Sequence, residues 1–251
     1  MILLRSALLG AFPHGFSTRE GGVSAPPFDS LNLGRSLGDE PRHVEENWRR
    51  VVAATGLGFA RVRQVHGARV VHLEEPSPPT EEADAVVSTR PGLAACVSVA
   101  DCVPVLLADP GTGSVAAVHA GWRGTIARAV GAAVRALAGL AGSPPGRFFA
   151  AIGPSIGPCC YEVSADLATR FAREIGPVVR TGAAGPHLDL WEANRGLLLE
   201  AGLVAERVEV LGRCTSCDRR SFFSHRRDDG RTGRQIAFIA PHGPGSADPL
   251  P

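Results

Sequence analysis

The stretch Ala100-Asp101-Cys102-Val103-Pro104-Val105-Leu106-Leu107-Ala108-Asp109-Pro110-Gly111-Thr112-Gly113-Ser114-Val115-Ala116-Ala117-Val118-His119-Ala120-Gly121-Trp122-Arg123-Gly124-Thr125 decides how the rest of the chain reads. Val103 to Ala108 is a short apolar run without helical period, and Ser114 to Val118 is a second β-prone run. Between them Pro110-Gly111-Thr112-Gly113 is turn chemistry, because proline presets φ and glycine supplies positive φ. Two such runs about a glycine-containing turn predict a β-hairpin. Cys102 and His119 lie almost equally far from the turn, so they are expected opposite each other, or nearly so, at the open end. Directly opposed residues have Cβ atoms roughly 5 Å apart. A thiolate and an imidazole at that spacing can share one metal ion or one proton.

The plain alternative is packing, since cysteine is among the most buried residue types. Three neighbours argue for a site. Asp101 sets a carboxylate beside the thiol. Gly121 and Gly124 let backbone approach a ligand. Thr125 is expected to open a helix through Ala141, with Ile126, Val130, Val134 and Leu137 on one face, and a helix N-terminus favours an anion.

Strand and helix signals continue outward from the hairpin on both sides. On the C-terminal side, Phe148 to Ile152 reads as a strand ending in a Gly/Pro-rich turn. Cys159 and Cys160 follow and are left as packing. Ser164 caps a helix through Ile175, Asp189 caps another over Trp191 to Ala201, and Val208 to Leu211 is a strand. Cys214-x-x-Cys217 is half of a zinc ribbon with no second such pair. The arginines between Arg213 and Arg234, mixed with Phe222 and Phe223, suit a phosphate or a planar base, or else form a solvated basic turn. Gln235 to Ala240 is the last strand.

On the N-terminal side, Leu93 to Val99 and Asp84 to Ser88 are β-prone. Arg61 to His66 alternates as a strand broken by Gly67. A helix is expected from Asp39, its N-cap, to Gly56, with Val44, Trp48, Val51 and Val52 as its stripe. Phe12 to Gly34 is too rich in Gly, Pro, Ser and Asn for a regular element and reads as an ordered functional loop with Arg19 and Asn32 as its polar candidates. The first ten residues read as a strand rather than a signal peptide, because Arg5 interrupts their apolar core.

Net charge is +1 over 251 residues, which gives no global electrostatic case for nucleic acid or an anionic membrane. No apolar run approaches the roughly 18 residues that span a bilayer. Six cysteines without a secretory signal fit reduced thiols in the cytoplasm.

Several stretches together resemble one family. They are Gly15-Phe-Ser-Thr-Arg-Glu-Gly-Gly-Val-Ser24, Asn32-Leu-Gly34, Gln64-Val-His-Gly67, Ala100-Asp-Cys-Val-Pro104, His119-Ala-Gly-Trp-Arg-Gly124, Ile152-Gly-Pro-Ser-Ile156, Cys160-Tyr-Glu162 and Phe223-Ser-His-Arg-Arg227. They are similar to the YfiH-type polyphenol oxidase, or laccase-domain, family over nearly the whole chain. The resemblance implies one α/β domain over residues 1–251, a layered sandwich of mixed sheets flanked by helices, related to the catalytic fold of cytotoxic necrotizing factor toxins. It implies a metal, usually zinc, on His66, Cys102 and His119. It implies phosphorolysis of adenosine, inosine and methylthioadenosine, and deamination of adenosine. The family often carries Tyr where His225 stands, which leaves finer substrate preference open.

Three protein ligands leave a fourth position on zinc, the pattern of catalytic sites. Cys102 and His119 are then the reacting centre. Arg19, Arg123 and Arg226 are the candidate phosphate holders, with Asn32 beside the substrate. Copper also suits two imidazoles and a thiolate. A laccase proper is fed by His-x-His pairs, and this chain has eight His and none so spaced. The competing readings are a metal-free Cys–His hydrolase or deamidase with Cys102 as nucleophile and His119 as base, a copper polyphenol oxidase, and a non-catalytic metal module. The expected partners are a purine nucleoside and phosphate, with the chain a monomer or small homo-oligomer.

Overall fold

Alternation along the hairpin strands builds the central layers. In the computed structural model, which describes residues 2–35, 37–182 and 185–242, Val103–Ala108 and Val115–Ala120 pair antiparallel and every residue in them is buried. Successive strand side chains point to opposite faces. Val103, Val105 and Leu107 enter one core with Val130, Val134 and Leu137 of the helix Ala129–Ala141. Leu106 and Ala108 enter another with Ala95, Val97, Ala237 and Ile239 of a second sheet. That sheet repeats the device: Ala94, Cys96, Ile236 and Phe238 face its far side and pack with Val44, Trp48 and Val51 of the helix Pro41–Thr55. The layers run helix, sheet, sheet, helix. Both sheets are covered on both faces, which is why their central strands read as continuous apolar runs.

The first sheet has six strands in the order Val208–Val210, Phe149–Ile152, Val103–Ala108, Val115–Ala120, Ala85–Ser88 and Val70–His72. Its two outermost pairs are parallel and the rest antiparallel. The second has five, in the order Leu3–Leu4, His14–Ser17, Gln235–Ile239, Leu93–Val99 and Gly58–Ala60. A small pair, Val179–Thr181 with Pro186–Leu188, stands apart. Mixed sheets flanked by helices are what the family resemblance implied. Ser164 and Asp189 cap their helices as predicted, accepting the N–H groups of Leu167 and Glu192.

Several local expectations are corrected. Pro104 pairs with His119, so Cys102 stands opposite Gly121 and meets His119 diagonally on the same face. The cause is the turn. Asp109 N–H donates to the Ser114 carbonyl, and the Asp109 carboxylate takes the Gly111 N–H and the Thr112 hydroxyl, which centres the loop one residue later. The helix after the hairpin is two helices, Trp122–Ile126 and Ala129–Ala141, broken at Arg128, whose φ is 58°. Thr125 therefore lies inside a five-residue helix and opens nothing. Arg61 to His66 is not a strand. Regular pairing ends at Ala60, and His66 takes a left-handed φ of 61°. His14–Ser17, expected as loop, pairs with two strands at once. Glu40, not Asp39, holds the N-cap position, and Asp39 instead binds Ser24 and Asn32. Val52 is exposed.

Candidate active site

Three separate elements deliver the central side chains. Cys102 precedes a hairpin strand, His119 lies on its partner, and His66 sits on the irregular segment after Gly58–Ala60. One donor atom from each lies within 4.8 Å of the other two. The imidazoles of His66 and His119 meet edge to face, with ring centroids 4.8 Å apart. His119 and Asp84 are buried, Cys102 is half-buried, and His66 is exposed at the mouth.

Asp84 organises the group from behind. Its carboxylate accepts the N–H groups of Val65, His66 and Gly67 at 3.3, 2.9 and 2.6 Å, and His119 Nδ1 at 2.8 Å. Burial alone would raise the pKa of this carboxyl. The bonds from His119, Gly67 and His66 outweigh burial and hold its pKa below the usual carboxylate range. An ionised Asp84 can only accept, so Nδ1 of His119 carries a hydrogen and Nε2 is the ring atom turned toward Cys102. The same bonds pin the left-handed turn at His66, a conformation that costs a non-glycine residue about 1–3 kcal/mol. Asp101, with φ of 86°, is held likewise: its carboxylate takes the Thr215 hydroxyl at 2.6 Å and the Arg226 N–H at 2.6 Å.

Cys102 and His119 titrate as partners. Burial disfavours both charges, yet the His119 charge and hydrogen bonds from both imidazoles bring the thiol down. The thiolate and Asp84 in turn raise His119. One thiolate and two imidazoles, with a carboxylate behind one ring, is a donor set that fits zinc.

Gly121 is required here for space. A Cβ on it would stand 2.8 Å from Cys102 Sγ and 3.4 Å from His66 Cδ2. Gly121→Ala is therefore expected to cut metal affinity roughly 10-fold or more, as disturbance of a ligand's surroundings does, while far-UV dichroism stays unchanged. Equal metal retention under graded chelator would show the site tolerates the methyl.

The group opens into a cleft of about 780 Å³ whose lining includes Arg61, Arg123, Arg226, Arg234, Trp122 and Tyr161. Arg226 donates to the Glu162 carbonyl at 2.7 Å and lies over the Tyr161 ring at 5.1 Å. The neighbouring Arg227 pairs with Asp228. Arg123 lies over Trp122 at 4.2 Å.

Of the expected site residues, His66, Cys102, His119, Arg123 and Arg226 meet at this cleft. Arg19 and Asn32 do not. Arg19 binds the Asp29 carbonyl and carboxylate, stacks on Phe223 at 4.5 Å, and lines a separate, more open cleft with Arg219, Arg220 and Arg231. Asn32 is wholly buried. Its side-chain oxygen accepts the N–H groups of Gly34 and Arg234, so it braces the backbone of a cleft arginine instead of facing a ligand. Asp84 was not among the expected site residues, and Arg234 figured only as the end of the arginine-rich segment offered for a phosphate or base. The signal for Asp84 was a lone acid in the apolar run Ala83-Asp84-Ala85-Val86-Val87. Cys159, left as packing, is exposed.

Residues 13–242 match the family model described as multi-copper polyphenol oxidoreductase laccase. A Deinococcus radiodurans protein named purine nucleoside phosphorylase is 45% identical over 241 residues, covering 94% of this chain and 92% of that one. Purine nucleoside phosphorylase YfiH of Escherichia coli is 40% identical, covering 89% of this chain and 91% of that one. Among solved structures, YlmD from Geobacillus stearothermophilus superposes with a TM-score of 0.89 at 33% identity, covering 96% of this chain and 99% of that one. YfiH of Bacillus licheniformis gives 0.85 at 35% identity, covering 91% and 92%.

Proposed function

The chain belongs to the multi-copper polyphenol oxidoreductase laccase family, and from that premise we propose that it is a purine nucleoside phosphorylase built around a zinc held by His66, Cys102 and His119. The names of its relatives support the substrate class. The observation that carries the reading is the convergence of those three donors in an arginine-lined cleft. We take adenosine, inosine and methylthioadenosine as substrates, with adenosine deamination as a second activity.

Phosphorolysis needs a bound phosphate and a purine held beside it. Arg123, Arg226 and Arg234 supply guanidinium groups suited to phosphate oxygens. Trp122 and Tyr161 supply ring faces for a base. When bound, zinc supplies Lewis acidity in the position that three protein ligands leave open. Asp84 keeps His119 in the tautomer that presents Nε2. Copper fits the same donors, and we read oxidation of phenols as a secondary activity. The cytoplasm fits six free cysteines, and no helix among the described residues is long and apolar enough to cross a membrane.

The test is release of hypoxanthine from inosine by protein purified without added metal. Release that requires phosphate supports the reading; release indifferent to phosphate, or none, overturns it. One observation favours the second reading, a Cys–His hydrolase: Cys102, His119 and Asp84 form a nucleophile–base–carboxylate chain. Such a hydrolase has no use for His66 against the thiol, so His66→Ala separates the two. It should abolish phosphorolysis and spare amide hydrolysis.

Arg226→Ala is expected to raise KM for phosphate or nucleoside roughly 10-fold, the loss of about 1.5 kcal/mol in a charge-assisted bond. Zinc content should not change. Unchanged KM values with normal turnover would confine Arg226 to bracing Tyr161.

A further inference from the structure

The cysteines that the catalytic reading does not use lie together. Cys159 and Cys160 end the turn after Phe149–Ile152, and Cys214 and Cys217 flank a turn that follows Val208–Val210. The four Sγ atoms all lie within 4.8 Å of one another. Cys160 and Cys217 stand 3.3 Å apart, and Cys159 and Cys217 3.5 Å. Sulfurs on a tetrahedral zinc with bonds of about 2.3 Å are about 3.8 Å apart. The cluster therefore needs only small side-chain adjustment to enclose an ion. The Gly157 N–H already donates to Cys214 Sγ at 3.3 Å, the kind of backbone bond that steadies a thiolate ligand.

We propose that Cys159, Cys160, Cys214 and Cys217 form a second metal site, a structural zinc site separate from the cleft. Four protein thiolates saturate a tetrahedral ion and leave no open position, which makes the site structural. The half-ribbon Cys214-x-x-Cys217 finds its other half in an adjacent pair far away in the chain. The paired segments already meet through Ser155, whose N–H donates to the Arg213 carbonyl and whose carbonyl accepts the Thr215 N–H. A zinc there fastens this junction. Tyr161 follows Cys160 directly, and Thr215 and Arg226 both grip the Asp101 carboxylate beside Cys102. The second ion thus braces one wall of the cleft. Two sulfur pairs in contact are also the geometry from which one disulfide forms, but a disulfide would employ only two of the four.

The proposal does not rest on the phosphorylase reading, and metal counting separates the sites. Full-length protein purified anaerobically without added metal is expected to hold two zinc ions per chain. Cys102→Ala and Cys217→Ser should each hold one, and the double variant none. Zinc X-ray absorption of the Cys102→Ala protein should show sulfur neighbours alone, at about 2.3 Å. That spectrum decides even where Cys217→Ser fails to fold. Cys102→Ala protein that carries no zinc, or zinc with nitrogen neighbours, overturns the proposal. So does a Cys160–Cys217 or Cys159–Cys217 disulfide in the anaerobic protein.

Discussion

Cys102→Ala is expected to leave a folded protein whose inosine phosphorolysis is down roughly 100-fold or more and whose cleft no longer holds metal. Changing a group that merely supports a ligand typically costs 10–100-fold in affinity or activity, and Cys102 is itself one of the three side chains whose donor atoms converge at the cleft. The loss should exceed that range. Cys96 is the internal control, since it lines the same cleft and carries no imidazole partner. Burial pushes its thiol up to about 12, against the pull of Arg61. Burial acts on Cys102 in the same sense, but His119 and His66 overcome it and bring that thiol to about 6. In metal-stripped protein at pH 7, iodoacetamide should therefore modify Cys102 and spare Cys96, as peptide mass spectrometry would read directly. Full activity and metal content in Cys102→Ala would mean that the thiol only packs.

The strands were legible where both faces are buried. Val103 to Ala108 is an unbroken apolar run and Leu93 to Val99 is interrupted only by Ser98, and no helix period competes with them. Register was less legible, because it depends on which backbone groups Asp109 captures in the turn, and that choice moved the partner of Cys102 from His119 to Gly121. The site was legible in kind. A thiol and an imidazole at the open end of one hairpin are still on one face after a two-residue shift, because side chains alternate with a period of 2. What escaped the sequence came from a distance. Asp84 reaches His119 across 35 positions, and Asn32 reaches Arg234 across 202. Arg19 misled because a charged side chain in a glycine-rich loop looks available for a ligand, whereas Asp29 occupies it. The cysteines misled for the opposite reason: each pair alone is half a ligand set, and only the junction at Ser155 makes them one.

The most informative change outside the ligands is Asp84→Asn, which preserves shape and removes the charge. Asp84 is wholly buried and accepts from four donors, three backbone N–H groups and His119 Nδ1. An asparagine turns one acceptor atom into a donor, so some of those hydrogens face an N–H. Each unpaired buried donor costs about 1–3 kcal/mol, and a loss of about 2–4 kcal/mol in folding stability is expected. The His66 turn should loosen as well, because its left-handed backbone is tied down by the same carboxylate. With the carboxylate gone, His119 is free to carry its hydrogen on Nε2, the atom that should face the metal, and metal affinity should fall roughly 10–100-fold. The pH dependence has a definite sign. Asp84 has a lower pKa folded than the ordinary value of about 3.9, so its stabilisation is complete above that value and disappears as pH falls through the lower, folded one. Denaturant titrations of metal-free wild type and Asp84→Asn should then differ increasingly as pH falls from neutral to about 5, because Asp84 also holds the His119 pKa up, and converge at stronger acid as Asp84 is protonated. A variant that matches wild type in stability at pH 7 and retains zinc under chelator would show that the three N–H groups, rather than the charge, hold the site together.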